Sequence, residues 1–296
     1  MCIKKCAVAL GIFDGVHLGH RAVLDLALRQ KENGLTPAVF SFSPSAVLRK
    51  TSGQDGYVYN WSQKFYTLQN LGFSGENIHF VDFEDVCGFT GEEFCEKILK
   101  NRFLNAEAVC CGNDFRFGRG ASCGVEELKR FGEIYGFEVH TADDVKIDGV
   151  TVSSGEIRQL LLNGEIEKAE RLLGMPYMIS GKVVHGRQIG RTIDFPTVNQ
   201  LFADGQLVPA FGVYASTAVI DGKSYDSVTN IGVKPTVGAE SSPLAETHII
   251  GFSGDIYGRS IDIVLRKFLR PEVKFNSLDE LKNQISKDVS DSITKY

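Results

Sequence analysis

The sequence lacks a membrane-length apolar run, a C-x-x-C pair, an internal repeat, a low-complexity tract and any surplus of positive charge. Each absence narrows the choice. A spanning helix needs about 18 or more consecutive apolar residues, so no membrane partner is expected. A net charge of -5 offers no basic face of the kind that binds nucleic acid, so no nucleic-acid partner is expected either. The seven cysteines, at 2, 6, 87, 95, 110, 111 and 123, are odd in number and not spaced as ligand pairs. That argues against a disulfide framework and against a zinc site. Reduced, mostly buried thiols fit a reducing compartment. The opening "MCIKKCAVALGIF" sets two lysines before an apolar stretch, as a secretion signal does. It has no small-residue cleavage site, and Asp14 and His17 follow too soon. It reads as the first strand of a cytoplasmic protein.

What is present is an ordinary globular composition, 43% hydrophobic and 23% charged, over 296 residues. That length suggests two domains. "PAVFSFS" (37–43) and "AEAVCCG" (106–112) read as strands. "RAVLDLALRQ", "GEEFCEKILKNRFL" (91–104) and "GVEELKRFGEIYG" (124–136) read as helices. Such alternation predicts a doubly wound α/β sheet. "SSGEIRQLLLNGEIEKAERLLG" (153–174) reads as two short helices joined at Asn163-Gly164, the first capped by Ser153 or Ser154. After Met175 the pattern changes to strand-like segments such as "YMISGKVVHG", "GVYASTAVID" and "SIDIVLRKFL", separated by Gly, Pro, Asn and Asp. These predict a small antiparallel barrel. "SLDELKNQISKDVSDSI" (277–293) predicts a closing helix. The expected domains are therefore 1–174 and 175–296.

"GIFDGVHLGH" (11–20) stands between the first strand and the first helix. A strand running through a glycine-rich turn into a helix makes an anion site, where free N–H groups and the positive helix end converge. His17 and His20, three residues apart, can share one face and donate to a phosphorus centre as it gains charge. The residues alone also allow a polar turn without chemistry, or two ligands of a metal whose third ligand has no recognisable spacing.

These stretches resemble a known family. H-x-G-H after a strand, with "SSGEIR" (153–158) far downstream, is similar to the nucleotidylyltransferase superfamily. With "GNDFRFGRGASCG" (112–124) it resembles the adenylyltransferase half of the prokaryotic bifunctional riboflavin kinase/FAD synthetase family. "GRTIDFPTVN" (190–199), "GVYA" (212–215), "NIGVKPTVG" (230–238), "ETHIIGF" (246–252) and "FLRPEVKF" (268–275) resemble its riboflavin kinase module, in the usual order.

The resemblance implies two reactions. Riboflavin takes the γ-phosphate of ATP to give FMN, and FMN attacks the α-phosphate of a second ATP to give FAD and pyrophosphate. It places Gly11, Phe13, Asp14, Gly15, His17 and His20 at the ATP of the adenylyltransferase, with His20 on the α-phosphate. Ser153, Ser154 and Arg158 would hold the triphosphate from another side, and Asn113, Asp114 and Phe115 the flavin. In the kinase module it implies Mg²⁺ and ATP at Thr197 and Asn199, with Gly186, Gly190 and Arg191 in a loop over the phosphates. Glu246 holds the position of the catalytic base, His248 lies two residues on, and Arg270 would lie near the flavin. The expected partners are thus riboflavin, FMN and ATP, in a monomer or weak homo-oligomer.

Four positions depart from the family pattern. Ser45 and Ala46 replace a histidine and a proline, Gly155 replaces a threonine or serine, Asp194 replaces a glycine, and Gly251 replaces an acidic residue. A chain retaining one activity, or a flavin- or nucleotide-binding regulator without turnover, are the alternative readings.

Overall fold

The computed structural model describes residues 4–43, 56–101, 104–185, 195–233 and 242–293. Contacts divide the chain into two compact units, Met1–Ser154 and Gly155–Tyr296.

The first unit is built on a parallel five-stranded sheet of β1 (Cys6–Leu10), β2 (Thr36–Phe42), β3 (Ile78–Val81), β4 (Ala106–Gly112) and β5 (Glu138–Ala142). The strands lie in the order β3-β2-β1-β4-β5. All five residues of central β1 are buried, as expected of a parallel strand covered on both faces. Alternation sends Cys6, Val8 and Leu10 to one face, against Phe94, Leu99 and Leu128. Ala7 and Ala9 face the other way, against Leu24 and Ala27 of helix α1 (Leu18–Arg29) and Leu68 of helix α2 (Trp61–Asn70). The chain leaves β1 for β2 and β3 on one side and returns through β4 and β5 on the other. The C-terminal ends of β1 and β4 therefore flank the switch point, where open α/β sheets bind ligands. Helix α3 (Val125–Tyr135) begins where Glu127 reaches back to the Gly124 N–H, 2.8 Å, and stops at left-handed Gly136. The helix expected over 91–104 starts as Gly91–Phe94 and widens into a π-helical turn over Cys95–Leu99. A two-stranded ribbon, β6 (Lys146–Ile147) and β7 (Val150–Thr151), precedes Ser154.

The second unit begins with helices α4 (Ser154–Leu162) and α5 (Ile166–Leu173), joined at left-handed Gly164 as the Asn-Gly pair predicts. The Leu161 carbonyl accepts from Ala210 N at 3.0 Å, and Glu170 accepts from Tyr177 N at 3.2 Å, so the pair is tied to the barrel next in the chain. The barrel strands are β8 (Met178–Val184), β9 (Thr197–Leu201), β10 (Gly212–Ile220), β11 (Lys223–Val233), β12 (Pro243–Ile249) and β13 (Ser260–Arg270). They close as an antiparallel sheet in the order β10-β11-β12-β9-β8-β13. Ile179, Ala218, Ile231, Ala245, Ile263 and Leu265 fill the interior. Four interior hydroxyls satisfy one another: Ser216 Oγ lies 2.8 Å from both Ser227 Oγ and Thr229 Oγ1, and Thr229 Oγ1 lies 2.9 Å from Thr247 Oγ1. Because side chains alternate, Glu246 and His248 face outward where Ala245 and Thr247 face in. Helix α6 (Leu278–Ile293) closes the chain against β10 and β11.

Candidate functional site

The turn after β1 is compact and backbone-strained. Phe13 (φ 51°), Gly15 (φ 77°) and Val16 (φ 43°) all take left-handed geometry, which is foreign to a β-branched valine. Its carbonyls are held from many directions. Ile12 O accepts from Ser41 Oγ at 2.9 Å and from the Lys64 ammonium. Asp14 O accepts from Ser154 Oγ at 3.0 Å, and Val16 O from Arg21 Nε at 3.2 Å. The buried Asp14 carboxylate accepts from Val58 N at 2.9 Å. Gly11 must be small, because a Cβ there would stand 2.8 Å from the Phe13 ring.

The two histidines come together at the mouth of α1. His17 caps the helix, its Nδ1 accepting from His20 N at 3.2 Å, which leaves Nε2 as its donor. The rings stack with centroids 3.5 Å apart and planes 17° from parallel, and Phe13 meets His20 edge-on at 5.4 Å. Gly19 between them packs tightly: a Cβ would lie 3.2 Å from His17 Cε1 and 3.3 Å from the Val152 carbonyl. Among the described residues no group of three or more His, Cys, Asp or Glu is placed to hold a metal. The pair lies at the positive end of α1, an arrangement that suits an anion.

The other residues expected at this site each sit within their own unit. Ser154 uses its hydroxyl on the Asp14 carbonyl. Ser153 is exposed and Gly155 is exposed one residue into α4. Arg158, one turn further along α4, is buried. Asn113 and Asp114 are exposed at the C-terminal end of β4, with Asn113 Nδ2 donating to Asp143 at 2.9 Å. Phe115 stacks on Phe117 at 5.8 Å. Pro44, Ser45 and Ala46 lie outside the described residues.

In the barrel, strand register assembles the second site. Glu246 stands directly opposite Asn199 of β9 on one side and Asn230 of β11 on the other. His248 stands opposite Thr197. Residues that are far apart in sequence thus share one patch of the outer face. Asn199 is 3% exposed, and its Oδ1 has no hydrogen-bond partner among the described residues. His248 Nδ1 donates to the Pro196 carbonyl at 2.9 Å. Asn230 Nδ2 donates to Glu272 at 3.0 Å, and Glu272 lies so close to Gly232 that a Cβ would fall 2.2 Å from Oε1. Gly186, Gly190, Arg191 and Asp194 lie outside the described residues. Gly251 occupies a left-handed turn (φ 71°) with open space around it, a conformation that suits glycine better than an acidic residue.

Arg270 is engaged from within the unit. Its guanidinium grips Asp288 of α6 in a fork, Nε to Oδ1 at 3.0 Å and Nη2 to Oδ2 at 2.7 Å, and Nη1 donates to the Pro271 carbonyl.

Sequence reasoning missed Lys64, Ser41 and Asn230. Lys64 carried a signal: it precedes Leu68 by one turn, on the stripe of α2 that faces inward. Burial pulls its pKa down to about 7, with Asp14 acting in the opposite sense.

A switch-point sheet with stacked histidines at its mouth, followed by a closed barrel with a carboxylate on its outer face, defines a two-domain enzyme of phosphoryl and nucleotidyl transfer. The FAD synthetase family model matches residues 1–156, and the riboflavin kinase family model matches residues 173–295. The bifunctional riboflavin kinase/FMN adenylyltransferase of Escherichia coli K12 is 37% identical over 96% of this chain and 91% of its own length. Its Bacillus subtilis counterpart is 36% identical over 99% of this chain and 93% of its own. A solved Streptococcus pneumoniae chain described as a macrolide-efflux protein superposes with a TM-score of 0.86, at 29% identity, over 99% of this chain and 95% of its own. Among the described residues no helix is long and apolar enough to cross a membrane. The chain belongs to the bifunctional riboflavin kinase/FMN adenylyltransferase family, and both of that family's catalytic regions are present.

Proposed function

We propose a division of labour within this bifunctional enzyme: residues 175–296 phosphorylate riboflavin and residues 1–174 adenylylate the FMN that results. The cross-strand pairing of Glu246 with Asn199, and of His248 with Thr197, carries the kinase assignment. Glu246 accepts the proton of the ribityl 5′-hydroxyl as its oxygen bonds to the γ-phosphorus and ADP leaves. Thr197 and Asn199 supply oxygen donors that suit Mg²⁺, and the buried Asn199 Oδ1, with no partner among the described residues, is consistent with that use. Bound there, Mg²⁺ would neutralise phosphate charge. The residues Gly186, Gly190 and Arg191 complete the kinase phosphate site in this reading, and Arg270 secures the flavin side.

In the adenylyltransferase, an FMN phosphate oxygen attacks the α-phosphorus of ATP and pyrophosphate departs. His17 and His20 donate to the phosphates, and His20 meets the charge that builds on the α-phosphate. Gly11, Phe13, Asp14 and Gly15 shape the turn. Ser153, Ser154 and Arg158 contribute to the triphosphate side, and Asn113, Asp114 and Phe115 to the flavin side. Both steps are in-line displacements in which positioning and charge stabilisation dominate. The enzyme works in the cytoplasm on small molecules, without nucleic acid, as a monomer or weak homo-oligomer. Incubation with riboflavin, ATP and Mg²⁺, then chromatographic separation of FMN and FAD, tests the assignment. Both products are expected. FMN alone would leave a monofunctional kinase, and neither product would leave a binding protein.

A further inference from the structure

Lys64 is the most deeply buried lysine among the described residues, 4% exposed. All three of its N–H donors are used, on the Ile12 carbonyl, on Ser41 Oγ at 2.7 Å and on the Phe42 carbonyl at 3.1 Å. An apolar side chain at this place on α2 would avoid the cost of burying an ammonium. What it would not do is bind those oxygens. Ile12 lies just beyond β1 and Phe42 ends β2, so one side chain ties the C-terminal ends of two adjacent parallel strands. Ser41 completes a triangle by accepting from Lys64 and donating to the same Ile12 carbonyl.

The Ile12 carbonyl matters because it leads directly into strained backbone. Phe13 and Val16 hold left-handed geometry, and such strain persists only where surroundings over-determine it. The Phe13 and Val16 carbonyls are each bound from nearby in the chain, and the Asp14 carbonyl from Ser154. Lys64 supplies, with Ser41, the hold at the first of these positions, immediately before the strained residues. Two residues after Val16, α1 begins, with the stacked histidines at its mouth.

We propose that Lys64 is a positioning residue for adenylyl transfer, its ammonium clamping the ends of β1 and β2 at the Ile12 carbonyl and so holding the strained turn that aims His20. This rests on the assignment of His20 to the ATP α-phosphate. The three acceptors and the Phe80 ring, whose centroid lies 4.9 Å from Nζ, carry no net charge, and Asp14 is the charged group that acts on the lysine. His79, next to Phe80 in β3, projects to the opposite face of the sheet. Holding all three acceptors needs all three protons of the ammonium, and burial brings the loss of one of them within reach of neutral pH. A lysine that served packing alone would not couple its protonation to turnover.

The test uses the full chain and follows FAD formation from FMN and ATP. In Lys64→Met, kcat should fall about 10²-fold while KM for ATP changes little, since a misplacement of about 1 Å costs on this order. Riboflavin phosphorylation by the same preparation should persist. Trp61, the one tryptophan of the chain, reports by its fluorescence whether the first unit is folded. In the wild type, kcat for adenylyl transfer should decline as pH rises through about 7 to 9, and Lys64→Met should lack that decline. Ser41→Ala, a small change, should lower kcat several-fold, and adding it to Lys64→Met should cost nothing further. A folded Lys64→Met enzyme with near-normal kcat overturns the proposal. If Lys64→Met does not fold, an unchanged kcat in Ser41→Ala overturns it instead. A wild-type chain that makes FMN but no FAD refutes the His20 assignment, not the clamp by itself.

Discussion

The rings of His17 and His20 stack at 3.5 Å, and the first histidine caps the helix that carries the second. His17 Nδ1 is occupied by the His20 N–H, so His17 has only Nε2 left for a phosphate. His17 also orients the helix mouth, and His20 meets the charge on the α-phosphate in the proposed mechanism. His20→Ala should therefore abolish FAD formation, by on the order of 10²–10³-fold, as for loss of a donor aimed at transition-state charge. Riboflavin phosphorylation should survive, because the proposed kinase residues lie in the other compact unit. Equal loss of both activities in a folded protein would contradict the domain assignment.

Glu246→Gln should do the converse. The amide keeps the shape of the side chain and its place opposite Asn199, but it cannot take a proton. FMN formation should collapse with little change in KM for riboflavin, and supplied FMN should still become FAD. A near-normal rate of riboflavin phosphorylation would shift attention to His248, whose Nδ1 proton is already committed to the Pro196 carbonyl.

Asn199→Leu keeps the bulk of a buried side chain and removes the oxygen. If Oδ1 binds Mg²⁺, the kinase should need a higher free Mg²⁺ concentration for half-maximal rate, measured by titration at fixed ATP. The FMN-to-FAD step should respond as in the wild type. An unchanged Mg²⁺ requirement would remove Asn199 from the ligand set.

Much of the fold is legible from the chain alone, for physical reasons. The strand at Cys6–Leu10, the helix pair within 154–173 and the barrel strands follow from periodicity and turn residues, both of them local signals, whereas the Ser154 hydroxyl expected as a cap bonds the Asp14 carbonyl. The pairing of Glu246 with Asn199 is not legible, because register across β9 and β12 is a tertiary property. Lys64 escapes because a lysine on an amphipathic helix ordinarily faces water, and only the fold shows three acceptors waiting for it. Gly251 reads in sequence as a lost acidic group, whereas the backbone there makes a left-handed turn. Arg270 is expected near the flavin, but its fork is filled by a carboxylate eighteen residues downstream in the chain.

That last pairing separates two roles for Arg270. The Asp288 side chain is 5% exposed, and Arg270→Met would leave it buried without its cation, a loss of about 3–5 kcal/mol in stability. Chemical unfolding monitored by circular dichroism should show the loss. Arg270→Met/Asp288→Leu should recover much of it, since apolar replacement of a whole buried pair is often neutral. If Arg270 also serves the flavin, KM for riboflavin stays raised in the recovered double variant. A double variant with normal KM would confine Arg270 to holding α6.

Lys64 makes a prediction about stability that runs opposite to the one about rate. Its folded pKa, brought to about 7 by burial, lies below the ordinary 10.5. Below about pH 7 both folded and unfolded chains carry the proton. Between about 7 and 10.5 the unfolded chain carries a proton that the folded one has released, so unfolding takes up a proton and stability rises with pH. The slope for one such group is at most about 1.4 kcal/mol per pH unit. Thermal melts monitored by Trp61 fluorescence should show the first unit of the wild type gaining stability relative to Lys64→Met between pH 7 and 9, with the shared titrations cancelling in the difference. Adenylyl transfer should decline over the same interval, because the clamp loses its third proton as the buried charge is relieved. A stability difference that stays flat from pH 7 to 9 would mean that the three acceptors and Asp14 hold the ammonium throughout. The clamp would then persist at alkaline pH, and any decline in rate would belong to another group.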